Sequence, residues 1–186
     1  MPFRRRKSYD APALYEYAVG ALGRKMRSVA ELKRLLRQRV AGAEDGEVLV
    51  EAVIAKLKEQ KYLNDAQYAA AYSSYRKENE KFGRRRVITD LRAKGVHGEV
   101  IEKAVAEAYA GVNEEKLARA FLARKRVQKP KDGREAARTF RTLLRAGFGM
   151  RTALSILKKW DVQDEVLTAL ESEAAEPKEP MQNEEL

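Results

Sequence analysis

Arg134, Arg138, Arg141 and Arg145 recur at i, i+4, i+7 and i+11. At about 100° per residue these spacings put four guanidinium groups on one narrow stripe of a helix. A guanidinium is a planar fork that meets phosphate or carboxylate through parallel hydrogen bonds, so the chemistry on offer is recognition of an anion rather than bond making. Lys33 and Arg37, with Arg34 beside them, hold the positions that match Arg141 and Arg145 earlier in the chain. Arg86, preceded by Arg84 and Arg85, stands level with Arg138, while Thr89 and Ala93 interrupt the stripe at the next two levels. A further basic group, Arg124, Lys125 and Arg126, continues into Lys129 and Lys131. Solvated helix faces also carry such residues. Here, however, arginine dominates where lysine would solubilise equally well, and the basic side returns on corresponding helices.

Residues that would make or break bonds are missing from the pattern. His97 is the only histidine, set between Val96 and Gly98 in a turn, and no carboxylate stands at metal-ligand spacing from it. A cap or surface role fits it better than general base catalysis. Gly147 and Gly149 are not followed by Gly-Lys-Ser/Thr, so there is no phosphate-cradling loop. Ser73 and Ser74 fall in a predicted helix with no nucleophile elbow. Without cysteine there is no disulfide and no thiolate zinc site. The expectation is a protein that is not an enzyme and needs neither cofactor nor metal.

Composition points the same way. The formal net charge of +10 in 186 residues favours a polyanionic partner. No apolar run reaches the roughly 20 residues that span a bilayer, and Arg4-Arg5-Arg6-Lys7 leads into no apolar stretch. The chain reads as cytoplasmic, with no membrane partner and no spare apolar face that would make it more than a monomer.

The elements that must position the basic side are helices in a repeating order. Leu14 and Ala18, Tyr68 and Tyr72, then Leu117 and Phe121 each open a unit as an apolar i, i+4 pair. Leu32 and Leu35, Ile88 and Leu91, then Phe140 and Leu143 follow as an i, i+3 pair, and a third apolar helix closes each unit. Ser28-Val29-Ala30-Glu31 is a capping box. Asn64-Asp65 and Asn113-Glu114-Glu115 place caps and acids at the next unit starts, and Gly95 and Gly147 suit the left-handed residue that ends a helix. The tyrosine series Tyr68, Tyr72, Tyr75 reads as core packing rather than a base-stacking platform. The expected fold is all-α: a tandem array of three three-helix repeats forming an elongated, curved molecule. The reading divides the chain into a basic arm over 1–10, repeats over 11–63, 64–112 and 113–160, an extra helix over 161–173 and an acidic, disordered tail over 174–186. That tail is expected to compete weakly with the anionic partner.

Lys58-Glu59-Gln60-Lys61-Tyr62-Leu63-Asn64-Asp65-Ala66-Gln67-Tyr68-Ala69 resembles the Y-L-[DN]-D-x-x-[FY]-A joint of the RecX regulatory protein family. Phe82-Gly83-Arg84-Arg85-Arg86-Val87-Ile88-x2-Leu91-x2-Lys94-Gly95-Val96 is similar to that family's K-G-x-x-x-[IL]-x-x-E-L-x-x-K-G-[IV] stretch, and Ala146-Gly147-Phe148 to its final R-G-F turn. Arg39, Phe82 and Asp90 depart from the pattern, standing where glycine, lysine and glutamate are usual. The resemblance implies a modulator, mainly an inhibitor, of the RecA recombinase in DNA repair and the SOS response. It would bind the filament of RecA on single-stranded DNA and lower its ATPase, strand-exchange and co-protease activities. Partners would be the RecA filament, single-stranded DNA and, secondarily, double-stranded DNA. The alternative is a direct DNA-binding protein with helix-turn-helix-like repeats, against which Glu99 and Glu102 stand where a recognition helix would present Arg, Asn or Gln.

Overall fold

Caps and apolar periodicity divide the chain into ten helices: α1 (Ala11–Arg24), α2 (Val29–Arg39), α3 (Gly46–Glu59), α4 (Asp65–Glu78), α5 (Arg84–Ala93), α6 (Gly98–Ala108), α7 (Glu114–Arg124), α8 (Gly133–Arg145), α9 (Met150–Lys158) and α10 (Asp164–Ala175). The structure, a computed structural model, describes residues 10–175. Among them there is no strand, and no helix is long and apolar enough to cross a membrane. The basic arm and the acidic tail expected at the two ends lie almost wholly outside the described residues. Glu171 and Glu173 lie within α10, which runs to Ala175.

The caps explain the helix starts. Ser28 accepts from the Glu31 amide at 3.1 Å, and Glu31 accepts from the Ser28 amide at 3.2 Å, closing the capping box at α2. Asn64 accepts from the Ala66 and Gln67 amides at α4, Asn113 from the Lys116 amide at α7, and Asp132 from the Glu135 amide at α8. Each satisfies donors that a helix start leaves orphaned. Asp65 does not cap its own helix start; it accepts from the Val29 amide at the start of α2, at 2.8 Å.

The described residues group into two compact units, one within Met1–Tyr75 and Ile88–Ala108, the other within Arg76–Val87 and Tyr109–Leu186. The first is built round Leu14, Ala18, Leu32, Leu36, Val50, Val53, Ile54 and Leu57 from α1, α2 and α3. The second is built round Phe121, Leu122, Phe140, Leu143, Phe148, Ile156 and Leu157, with Leu167 and Leu170 of α10 closing it. Of the tyrosine series, Tyr68 is buried as expected. Tyr75 is 56% exposed, because its position falls on the wet face of α4 one turn beyond the packed stretch.

A seam recurs where the second helix of a triplet begins. In the first unit the buried Ser28 hydroxyl donates to the Lys94 carbonyl at 2.6 Å, so the start of α2 docks on the turn after α5. In the second unit the Gly83 amide donates to the Ala146 carbonyl at 2.9 Å and the Arg85 amide to the Gly147 carbonyl at 3.2 Å. The start of α5 thus docks on the turn after α8. Gly147 has φ +91, and a Cβ there would lie 2.2 Å from the Arg86 nitrogen; one on Gly83 would lie 2.3 Å from the Gly147 oxygen. Two backbones meet directly at this seam, which leaves room for no side chain on either glycine.

Candidate functional site

Helix α8 shows how the sequence sets out its basic face. Ala136, Thr139, Phe140 and Leu143, at i, i+3, i+4 and i+7, are buried in the second unit. Burial of a side chain the size of Phe140 contributes about 1.5–3 kcal/mol and fixes the helix's rotation. Arg134, Arg138, Arg141 and Arg145 are thereby turned outward, and all four are exposed. Arg141 donates to Glu173 of α10 at 3.0 Å. Among the described residues, Arg134, Arg138 and Arg145 form no ion pair. The neighbouring helix α9, Met-Arg-Thr-Ala-Leu-Ser-Ile-Leu-Lys, carries no carboxylate of its own, and its Arg151 and Lys158 are exposed.

The other basic residues have different surroundings. Lys33 is half-buried and donates to Glu51 of α3 at 2.6 Å. Arg37 grips Glu47 with two nitrogens, its Nε at 2.9 Å, and lies 3.9 Å from Glu51. The Arg37 guanidinium holds the Glu47 carboxyl below the usual carboxylate range. Arg34 is exposed between them. The matching positions in the first and third triplets therefore differ: α3 supplies acids that compensate Lys33 and Arg37, and α9 supplies none to α8. This difference is legible in sequence only once the pairing of α2 with α3 is known.

Arg84, Arg85 and Arg86 are exposed at the start of α5, with the Arg86 guanidinium 5.9 Å from the centre of the Phe82 ring. Arg124 ends α7 and pairs with Glu80 at 3.1 Å. Lys125 and Arg126 follow it, exposed, and Arg126 takes φ +55 as the chain leaves the helix. Lys129 pairs with Asp161 at 2.8 Å. In the second unit the structure thus gathers the α8 stripe, the end of α7 and the Arg84–Arg86 run, whereas Lys33, Arg34 and Arg37 belong to the first.

Two carboxylates fix α9 against α7. Glu114 accepts from the Gly149 amide at 3.0 Å and from the Thr152 hydroxyl, so the start of α9 already holds an anion. Glu115 accepts from Lys159 at 2.7 Å and from Arg119 at 2.9 Å, and the Lys159 hydrogen bond lowers its pKa. A helix whose first turn is occupied in this way is poorly placed to enter a DNA groove. On α6, Glu99 and Glu102 are exposed.

Sequence reasoning did not single out Lys77, Lys81 and Lys116. They line a cleft between the end of α4 and the start of α7. Lys77 and Lys81 stand four apart, but α4 ends at Glu78 between them, and Lys116 is on another helix, so no helical stripe announces the three.

Comparison with known proteins bears on what this basic surface serves. Residues 64–105 match the family model described as RecX, second three-helix domain. The Regulatory protein RecX of Pseudomonas syringae pv. tomato is 33% identical over 141 residues, covering 75% of this chain and 86% of its own. This chain belongs to the RecX family. The RecX of Myxococcus xanthus is 32% identical over 167 residues, with 83% of this chain and 89% of its own covered. The fold agrees as well. A crystal structure of RecX from Lactobacillus salivarius superposes with a TM-score of 0.64 at 20% identity, covering 81% of this chain and 96% of its own. A further RecX crystal structure gives 0.65 at 20% identity, with 80% and 71% covered. As a RecX-family protein the chain has a regulatory role, carried on an all-helical repeat array.

Proposed function

We propose that this RecX-family protein regulates RecA by binding the filament that RecA forms on single-stranded DNA, and that it acts without catalysis of its own. The exposed arginine face of α8 makes the principal contact. Binding there lowers the filament's ATPase, strand-exchange and co-protease activities, which places the protein in DNA repair and the SOS response. The observation that carries this reading is the charge left uncompensated in the third triplet: Arg134, Arg138 and Arg145 point outward without an ion-pair partner among the described residues, beside a helix devoid of acids. A filament groove bearing acidic protein surface and DNA phosphate is the complement of such a face. Reading of duplex DNA by helix-turn-helix units is the weaker account, since α9 opens on Glu114 and α6 presents Glu99 and Glu102.

The test is replacement of Arg138, Arg141 and Arg145 together by alanine. Alanine forms helix at least as well as arginine, and surface changes of this kind move stability by no more than about 0.5 kcal/mol each. Thermal melting should hardly change. Binding to preassembled RecA filament and inhibition of its ATPase should fall, with a shallower dependence on salt. A folded variant that inhibits as the parent does would move the contact off α8.

A further inference from the structure

We propose that the cleft between the end of α4 and the start of α7 is a binding site for a single-stranded nucleic acid, taking one unstacked nucleotide with its phosphate on Lys77, Lys81 and Lys116. The proposal rests on the reading that the protein works on a partner carrying single-stranded DNA, and it gives that strand a place of its own, apart from the α8 stripe.

The cleft has a volume of about 280 Å³ and an apolar floor of Val112, Leu117 and Ala120. Pockets that enclose small ligands begin near about 300 Å³, so the cleft suits one base with its sugar and is far too narrow for a duplex. Three lysines, Lys77, Lys81 and Lys116, line it together with one acidic residue, Glu78, which lies 3.8 Å from Lys77. The remaining positive charge suits a phosphodiester rather than a neutral ligand. Lysine serves here as a point charge on a flexible stem, appropriate to a backbone contact that must accept any sequence.

The walls are fixed by contacts independent of any ligand. The Tyr109 hydroxyl donates to the Phe82 carbonyl at 2.8 Å, tying the segment before α7 to the segment after α4. Lys81 takes φ +57, which turns the chain sharply beyond α4. Asn113 accepts from the Lys116 amide at 2.9 Å and so sets where Lys116 leaves α7. Arg124 and Glu80, 3.1 Å apart, join the two segments again. The geometry is in place before a strand arrives, which reduces the ordering cost of binding.

The experiment is fluorescence anisotropy of a labelled oligothymidylate with the full chain, in the absence of RecA and across a salt series. Two variants are compared with the parent: Lys77→Gln/Lys81→Gln/Lys116→Gln, and Ala120→Trp, which fills the floor and keeps every charge. The charge variant should bind several-fold more weakly at low salt, with the salt slope reduced by about 0.7, as expected for the loss of one single-strand phosphate contact. The filled variant should bind more weakly with the parent's slope, and duplex competitor should not relieve either loss. A charge variant that melts like the parent and binds the oligonucleotide with the parent's affinity and slope overturns the cleft. If that result comes with loss of filament binding in the α8 alanine variant, the proposed function stands and only the cleft falls. If the parent binds neither filament nor oligonucleotide, the functional reading itself falls.

Discussion

The seam in the first unit and the seam in the second join the start of one helix to the turn after another in the same way, yet they are made of opposite chemistry. The first is polar. Glu31 stands at its centre, accepting from Lys94 at 2.8 Å, from the Ser28 amide at 3.2 Å and from Tyr68 at 3.3 Å, while Asp65 accepts from the Val29 amide. The second is steric, closed by backbone fit and two backbone hydrogen bonds. Gly83 and Gly147 press backbone on backbone, and Phe82, Phe121 and Phe148 pack beside them as tilted rings with centres 5.8 and 5.7 Å apart. A repeat protein needs the same geometry at each junction but not the same forces. Carboxylates and side-chain hydrogen bonds specify one seam here; close backbone fit with two backbone hydrogen bonds specifies the other.

The largest effect is expected where backbone meets backbone. Gly147→Ala places a methyl 2.2 Å from the Arg86 nitrogen at φ +91, with backbone on two sides that cannot yield. We expect a loss of about 3 kcal/mol in denaturant unfolding, at the upper end of overpacking costs. Gly111→Ala is the control. Its φ of +67 is as unfavourable, but nothing lies within 4 Å of the added Cβ, and the loss should be about 1–2 kcal/mol. Equal losses at the two positions would mean that conformation, not contact, makes Gly147 necessary.

Glu31→Gln tests the polar seam, and about 2 kcal/mol should be lost at neutral pH, since Lys94 keeps a half-buried charge without its partner. Burial opposes ionisation of Glu31, but Lys94, the Ser28 amide and Tyr68 outweigh it and hold its pKa down. Burial likewise opposes the charge on Lys94, and Glu31 outweighs it and raises the pKa. A depressed carboxylate stabilises above its unfolded pKa and loses that contribution as pH falls through the folded value. A raised lysine stabilises below its unfolded pKa and loses the contribution as pH rises through the folded one. The gap between parent and Glu31→Gln should therefore be fullest from about pH 5 to 10 and close at both ends. The Gly147→Ala deficit should be flat over the same range, and a parallel pH profile for the two variants would erase the distinction between the seams.

How much of this was legible in the sequence depends on the range of the interaction. Caps at Ser28, Asn64 and Asn113, the left-handed glycines and the α8 stripe are local patterns, and the structure places each as the spacing implies. The seams were not legible. Ser28 reads as a cap within four residues, and nothing nearby indicates that its hydroxyl also reaches Lys94, 66 positions on. Asp65 reads as an acid at the start of its own helix and serves another one. The basic positions of the first triplet read like those of the third, because Glu47 and Glu51 neutralise Lys33 and Arg37 only through helix packing. The same holds for the cleft lysines.

The smallest expected effect concerns Arg141. Its pair with Glu173 leaves the two side chains 50% and 58% exposed, so Glu173→Gln should change stability by less than about 0.5 kcal/mol. Filament affinity at low salt should rise by no more than about twofold, and the gain should vanish as salt screens the pair. A gain that survives high salt would show that Glu173 obstructs the partner by its bulk or position rather than its charge.

Helix α10 has one further consequence. At the start of α8, where the seam of the last triplet would fall, Val166 lies 3.5 Å from the place of a Gly133 Cβ. Each seam is heterologous, one edge fitting a different edge of its neighbour, and such a rule has no intrinsic end: the same edges on separate molecules could join into a filament of their own. At the start of α8 that place is taken by Val166 of α10 rather than by the turn of a further triplet.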